Sequence, residues 1–221
     1  MSIPILLKQT PFRIWAVPVL NDNFVYLVCR GQDAVLVDAG AAQPVETILQ
    51  TEELTLRQIL LTHGHGDHTA GAAQLQARIQ PGGRLPEPVE TLALPGHTAG
   101  DQGYYYPAAG VVFTGDCLIN GACGRVLGGS MQALFQSIQR IKQLPGETRV
   151  LGGHDYLMDN LQFGLQQEPG NAAIQARLAL YRQDPPAALF ATLAEEQRTN
   201  VFLQAPDLAT FSALRNAKDH F

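Results

Sequence analysis

Nowhere does the chain run apolar for the roughly 18 residues that a membrane-spanning helix requires, so no such span is expected. Cysteine is scarce. Cys29, Cys117 and Cys123 are the only three, too few to pair off within the chain as a disulfide framework, and their spacing fits no zinc module. Positive charge is short as well: 15 Lys+Arg against 20 Asp+Glu leave a net charge of −5, which argues against the basic surface of a nucleic-acid binder. The first eight residues offer neither a charged leader region nor a small-residue cleavage site, so no secretory signal is expected. A reducing cytoplasm is the expected home. Apolar residues, by contrast, are plentiful. At 46% of 221 residues they can bury a sizeable core, either as one large α/β domain or as one domain with a small appendage.

Of the six histidines, three crowd into Thr62-His63-Gly64-His65-Gly66-Asp67-His68. The run before them, residues 58–62, is short, apolar and partly β-branched, as a buried strand should be. The run after them, residues 70–80, is rich in Ala, Leu and Gln and predicts a helix. Four metal-capable side chains thus fall where a strand ends and a helix begins. Imidazole with carboxylate suits zinc, iron or manganese. The same arrangement recurs down the chain. A strand at 89–94 delivers Gly96-His97, one at 111–114 delivers Gly115-Asp116, and one at 149–151 delivers Gly152-Gly153-His154. Sites gather at such ends because the sheet fixes the backbone while the loop faces outward.

Between these points the pattern predicts strands at 13–17 and 24–30 around a turn at Asn21-Asp22-Asn23, and a third at 34–37 ending in Asp38. Pro44 suits the first turn of a helix reaching about Glu53. Residues 103–106 should form a hairpin with 111–114, and 121–129 a glycine-rich loop. A helix over 131–144 carries Leu134, Phe135, Ile138 and Ile141 at helical spacing. Past Met158 the strands stop. Residues 171–182 predict a helix broken by Pro185-Pro186, with Ile174, Leu178 and Leu180 as packing positions and His220 solvated.

The set His63, His65, Asp67, His68, His97, Asp116 and His154 resembles the metallo-β-lactamase superfamily, an αββα sandwich within the α/β class. Thr114-Gly115-Asp116-Cys117-Leu118, Cys123-Gly124-Arg125, the stretch from Gly153-His154-Asp155-Tyr156 through Phe163, Glu168-Pro169-Gly170-Asn171, Asn200-Val201-Phe202-Leu203 and the closing Leu214-Arg215-Asn216-Ala217-Lys218-Asp219-His220-Phe221 narrow this to the glyoxalase II family, the hydroxyacylglutathione hydrolases. The resemblance covers nearly the whole chain and implies a metal-binding domain over 1–157 with a short C-terminal helical, substrate-binding segment over 158–221. It implies two divalent ions, zinc first, with iron and manganese also accepted. One would be held by His63, His65 and His97, the other by Asp67, His68 and His154, with Asp116 bridging. Asp38 resembles a family aspartate beneath the site that orients a ligand histidine.

Such an ion pair lowers the pKa of bound water to about 7 and holds attacking and developing oxygens alike; Asp67 and Asp116 are the carboxylates expected to serve the chemistry. The sequence offers no Ser–His or Cys–His nucleophile and no unassigned histidine to protonate a leaving group. A thiolate, with a parent pKa of about 8.5, needs no such proton, whereas an amine does. Thioester hydrolysis is therefore favoured, and the resemblance names the thioester of lactate and glutathione. It places Arg125 and Tyr156 at the glutathione, with Arg215 and Lys218 in reserve. In this chain Gln204 stands where the family usually has Arg, Leu127 where it has an aromatic and Gly128 where it has an acid, and the connector over 79–89 is short. Alternatives on the same scaffold are a persulfide dioxygenase with one iron on two His and one Asp, and a hydrolase of another thioester or a lactone. The expected partner is a small glutathione-linked molecule, without nucleic acid or membrane, the chain acting as a monomer or small homo-oligomer.

Overall fold

A computed structural model of the protein describes residues 3–221. Met1 and Ser2, the start of the stretch read for a leader, lie outside the described residues. The chain forms two compact units, one made of the chain through Thr91 with Tyr104–Ala109, the other of Leu92–Gly103 and Gly110–Phe221.

In the first half of the chain, β1 (Ile5–Lys8), β2 (Arg13–Val19), β3 (Asn23–Arg30) and β4 (Asp33–Val37) run as an antiparallel meander. Helix α1 (Ala42–Thr51), with Pro44 in its first turn as expected, then crosses over to β5 (Thr55–Leu60), which pairs with β4 in parallel. The sheet order is β1-β2-β3-β4-β5. β3 is buried along nearly its whole length, which explains its unbroken apolar sequence. Val45, Ile48 and Leu49 of α1 pack in one cluster with Leu27, Leu36 and Leu56 of the sheet. The parallel pairing decides where the chemistry goes. Val37 lies opposite Leu60, so Asp38 and the His-rich loop leave the sheet side by side at the carboxyl ends of their strands.

Of the helix expected over 70–80 only α3 (Ala72–Gln76) forms, and a separate short helix, α2 (Gly66–Thr69), precedes it. The break falls at Gly71, whose amide donates to the Ala39 carbonyl at 2.7 Å. Asp67 and His68 therefore sit on α2 itself rather than in a loop before the helix.

In the second half, β6 (Glu90–Ala93), β7 (Gln102–Tyr106), β8 (Val111–Gly115) and β11 (Arg149–Gly152) order as β11-β8-β7-β6. A small ribbon of β9 (Leu118–Ile119) and β10 (Ala122–Cys123) reaches into the expected glycine-rich loop. Helix α4 (Met131–Ile141), capped by the Ser130 hydroxyl, buries Leu134, Ile138 and Ile141 and ends short of residue 144. β8 and β11 are again parallel, with Gly115 opposite Gly152, so Asp116 and His154 also emerge together. Then come α5 (Leu157–Gln167), α6 (Ala172–Gln183), α7 (Pro185–Leu189), α8 (Leu193–Thr199), α9 (Val201–Gln204) and α10 (Leu208–Asp219). Pro185-Pro186 ends α6 and opens α7, which Asp184 caps. Ile174 and Leu178 are buried as expected, but Leu180 is exposed, because it lies on the outer face of α6. His220 is exposed, its Nδ1 on the Asn216 carbonyl of its own helix. No helix of the described residues is long and apolar enough to cross a membrane.

Candidate metal centre

The first unit supplies four of the expected ligands on a rigid mount. Asp38 adopts a left-handed backbone with φ of 60°, a conformation that Asp tolerates better than most residues. This turns its carboxylate under the His-rich loop. There it accepts hydrogen bonds from the Thr62 amide at 2.8 Å, the Thr62 hydroxyl at 2.9 Å and His68 Nδ1 at 2.8 Å. A carboxylate accepts here, so Nδ1 of His68 carries the proton and Nε2 keeps the lone pair that a metal needs. The Thr62 hydroxyl, having given its proton to Asp38, accepts from His63 Nδ1 at 3.1 Å, which leaves His63 Nε2 as the ligating atom. One buried aspartate thus sets two tautomers, one directly and one through Thr62.

His63 Nε2 and His65 Nδ1 stand 3.0 Å apart. That separation is close to the roughly 3.3 Å edge of a tetrahedron with metal–nitrogen bonds of about 2.0–2.1 Å, so the pair suits one ion. The rings of His63 and His68 lie 4.1 Å apart. Asp67 Oδ2 is 3.7 Å from His68 Nε2 and accepts from Asn23 Nδ2 at 3.0 Å. The sequence reading placed Asn23 only in a turn; nothing local in its sequence announces a partner 44 positions on. The approach of these loops requires Gly40, where a Cβ would stand 2.0 Å from the Asp67 carbonyl oxygen. Tyr104 donates its hydroxyl to the Leu61 carbonyl at 2.8 Å; burial first and then Asp38 push this phenol up to about 12.

The second unit supplies three more. Asp116 Oδ2 lies 3.6 Å from His97 Nε2 and 3.3 Å from His154 Nε2, a single carboxylate oxygen facing two imidazoles. His97 Nδ1 is 2.7 Å from the Arg125 carbonyl. A carbonyl only accepts, so His97 too is fixed with Nε2 as the free lone pair. Gly96, with φ of 154°, brings this loop so close to α4 that a Cβ would meet Leu134 Cα at 2.3 Å. Tyr156 stacks on His154 at 4.7 Å and 11° while staying 40% exposed, so it shields one face of the imidazole and presents its own other face to solvent. Nitrogen and carboxylate donors, three of the imidazoles with fixed tautomers, are of the kind that divalent zinc, iron or manganese accept.

Of the residues expected at the thiol end of a substrate, Arg125 is largely exposed and 3.4 Å from Asp219. Lys218 lies over the rings of Phe163 and Phe221, each at 5.2 Å. Burial and then the nearby Arg215 bring its ammonium down to about 8. Arg215 differs from these two. It is buried, donates to the Cys123 carbonyl at 2.6 Å, pairs with Asp219 at 2.9 Å and lies over the Phe202 ring, so its guanidinium is engaged by the protein. Gln204 gives its amide to the Gln197 carbonyl.

Comparison with known proteins identifies the family. The family described as "Metallo-beta-lactamase superfamily" matches residues 20–90 and 82–154, and that described as "Hydroxyacylglutathione hydrolase C-terminus" matches 155–221. The hydroxyacylglutathione hydrolase of Haemophilus ducreyi is 36% identical, covering 95% of this chain and 99% of its own. Among solved structures, ETHE1 from Myxococcus xanthus is similar at a TM-score of 0.65 and 25% identity, over 93% of this chain and 89% of that one. TTHA1623 in a di-iron-bound form is similar at 0.52 and 30% identity, over 69% and 91%.

Proposed function

Because the chain belongs to the hydroxyacylglutathione hydrolases of the metallo-β-lactamase superfamily, we propose that its two ligand sets join in one dinuclear centre that hydrolyses S-lactoylglutathione to lactate and glutathione. In this reading His63, His65 and His97 would hold one ion and Asp67, His68 and His154 the other, with Asp116 shared between them. Zinc is the metal proposed first. The observation that carries the reading is the conjunction, in one chain, of the superfamily match across all seven ligands with the hydroxyacylglutathione hydrolase match across 155–221.

Divalent ions in this centre would lower the pKa of water to about 7 and stabilise a developing oxyanion. The chain's own residues do the rest. Asn23 holds the Asp67 carboxylate, Asp38 fixes His68 and Thr62, and the Arg125 carbonyl fixes His97. No proton donor for the leaving group is needed if a thiolate departs, and the sixth histidine, His220, is engaged by its own helix. Residues 158–221 form the proposed substrate-binding segment. Lys218, with Arg125 and Tyr156, would meet the glutathione, and Arg215 would act by holding Asp219. A cytoplasmic location follows from the glutathione thioester.

The test is metal quantification of purified protein beside kinetics on lactoylglutathione and on simpler thioesters. Two ions per chain and a clear preference for the glutathione thioester are expected. Equal turnover of all thioesters would remove glutathione recognition; one iron per chain with oxygen consumption would replace the hydrolase by the dioxygenase alternative.

A further inference from the structure

Residues 120–125 connect Asp116 to the peptide that orients His97, and consecutive peptides in this strap are held from outside it. The Asn120 carbonyl accepts from Asn160 Nδ2 of α5 at 2.9 Å. The Gly121 amide donates to Glu196 Oε2 of α8 at 2.9 Å. The Ala122 carbonyl accepts from Asn200 Nδ2 at 3.2 Å, and the Cys123 carbonyl from Arg215 of α10 at 2.6 Å. The Gly124 amide donates to the Asp116 carbonyl at 3.0 Å, and the Arg125 carbonyl takes His97 Nδ1 at 2.7 Å. Asn160, Glu196, Asn200 and Arg215 are all buried. Glu196 is itself paired with Arg177 of α6 at 2.6 Å. Four polar side chains from the C-terminal helices thus grip four successive residues of a loop whose last two touch two proposed ligands.

We propose that Asn160, Glu196, Asn200 and Arg215 are positioning residues for the metal centre: through the strap they set His97 and Asp116, so the C-terminal helices contribute to metal affinity and not only to substrate binding. The physical reason is the cost of leaving such bonds unmade. A buried carbonyl or amide deprived of its partner is costly to leave unmatched, and the strap would move to recover it. Since the Arg125 carbonyl and the Asp116 carbonyl are anchored to the same strap, that movement rotates the His97 ring and shifts the bridging carboxylate. The inference rests on the assignment of His97 and Asp116 as ligands.

The test uses full-length protein stripped of metal and titrated with zinc against a chromophoric chelator, for wild type, Asn160→Ala, Asn200→Ala and His97→Ala, with the thermal midpoint of each metal-free protein recorded. The two strap variants should fold and weaken zinc affinity by about 10–100-fold, the range for residues that orient a ligand. The larger loss should fall on the affinity that His97→Ala abolishes, with a smaller loss at the other, because Asp116 is proposed to serve both ions. A lowered midpoint with both affinities as in wild type would overturn the proposal and leave these side chains as supports only. Wild-type affinities in His97→Ala would instead overturn the ligand assignment, and the strap's role with it. Should a variant fail to fold, hydrogen exchange in metal-free wild type still decides. The Gly121 and Gly124 amides should exchange as slowly as those of β8, and exchange at the rate of an exposed loop would overturn the proposal.

Discussion

A histidine ligates through one ring nitrogen, so the partner of the other decides whether it is ready to do so. Asp38 does this for His68 and, through Thr62, for His63. Asp38→Asn keeps the shape but removes the charge that makes the imidazole basic; metal affinity should fall by about 10–100-fold with the fold retained. Chelator titration beside a thermal scan would show it, and unchanged metal content and turnover would refute Asp38's role. Lys218 makes a second prediction at this scale. Its ammonium persists below about 8 and is lost above it, so the KM for the anionic glutathione thioester should rise above that pH while kcat stays level. Lys218→Arg should keep KM flat to higher pH. Between about 8 and the ordinary value of 10.5 the unfolded chain holds a proton that the folded lysine has lost; this group alone makes stability rise with pH in that window. The thiols are also distinctive. Burial pushes Cys29 up to about 12 and Cys123 up to about 11, and raises Cys117 as well. Alkylation at pH 8 should therefore be slow in the native protein and fast at all three cysteines in denaturant, since the thiolate is the reactive form.

The strands that deliver Asp116 and His154 were legible because β8 and β11 are short apolar runs ended by glycine, and burial of both faces leaves that signature whole. What could not be read is what depends on distant partners. β1 is a four-residue edge strand, half-buried along its length, without alternation to mark it. α5 went unread beside the more obvious ligand motif that precedes it. The break between α2 and α3 is set by the Ala39 carbonyl, far away in sequence. Leu180 looked like core because α6 carries apolar residues on more than its inner face; Ile174 and Leu178 took that face. The site followed the same rule. The proposed ligands were readable as residue types, whereas Asn23 on Asp67 and Arg125 on His97 are meetings that only the fold arranges. Gly96 links element to site. Gly96→Ala would drive a Cβ into the α4 backbone at Leu134 from a backbone conformation that L-residues avoid, at a cost of about 1–3 kcal/mol. The loop should shift His97, so the variant should melt earlier and bind less metal. Gly128→Ala, also at positive φ but with nothing within 4 Å, should lose stability while keeping its metal.

At the scale of the molecule, the question is whether the metals make the fold or the fold makes the metal site. Small zinc modules are unfolded without their ion because they have no core of their own. This chain is the opposite case. Val17, Leu27, Leu36, Val45, Leu56 and Leu75 form one buried apolar cluster, and Phe113, Ile138, Leu151, Phe163, Phe202 and Phe211 are buried in the second unit, none of them a ligand. The tautomers of His63, His68 and His97 are set by Thr62, Asp38 and the Arg125 carbonyl rather than by an ion. Chelation should therefore leave a folded protein that melts cooperatively, but earlier. A site bound at a thousand times its dissociation constant contributes about 4 kcal/mol, so the shift should grow with free metal concentration and saturate only logarithmically. Thioester hydrolysis should vanish with the metals and return when they are added back, without a refolding step. Circular dichroism before and after chelation, with activity on re-addition, checks it. A chelated protein that has lost its secondary structure, or that must be refolded to regain activity, would mean that the ions build the site rather than enter one already made.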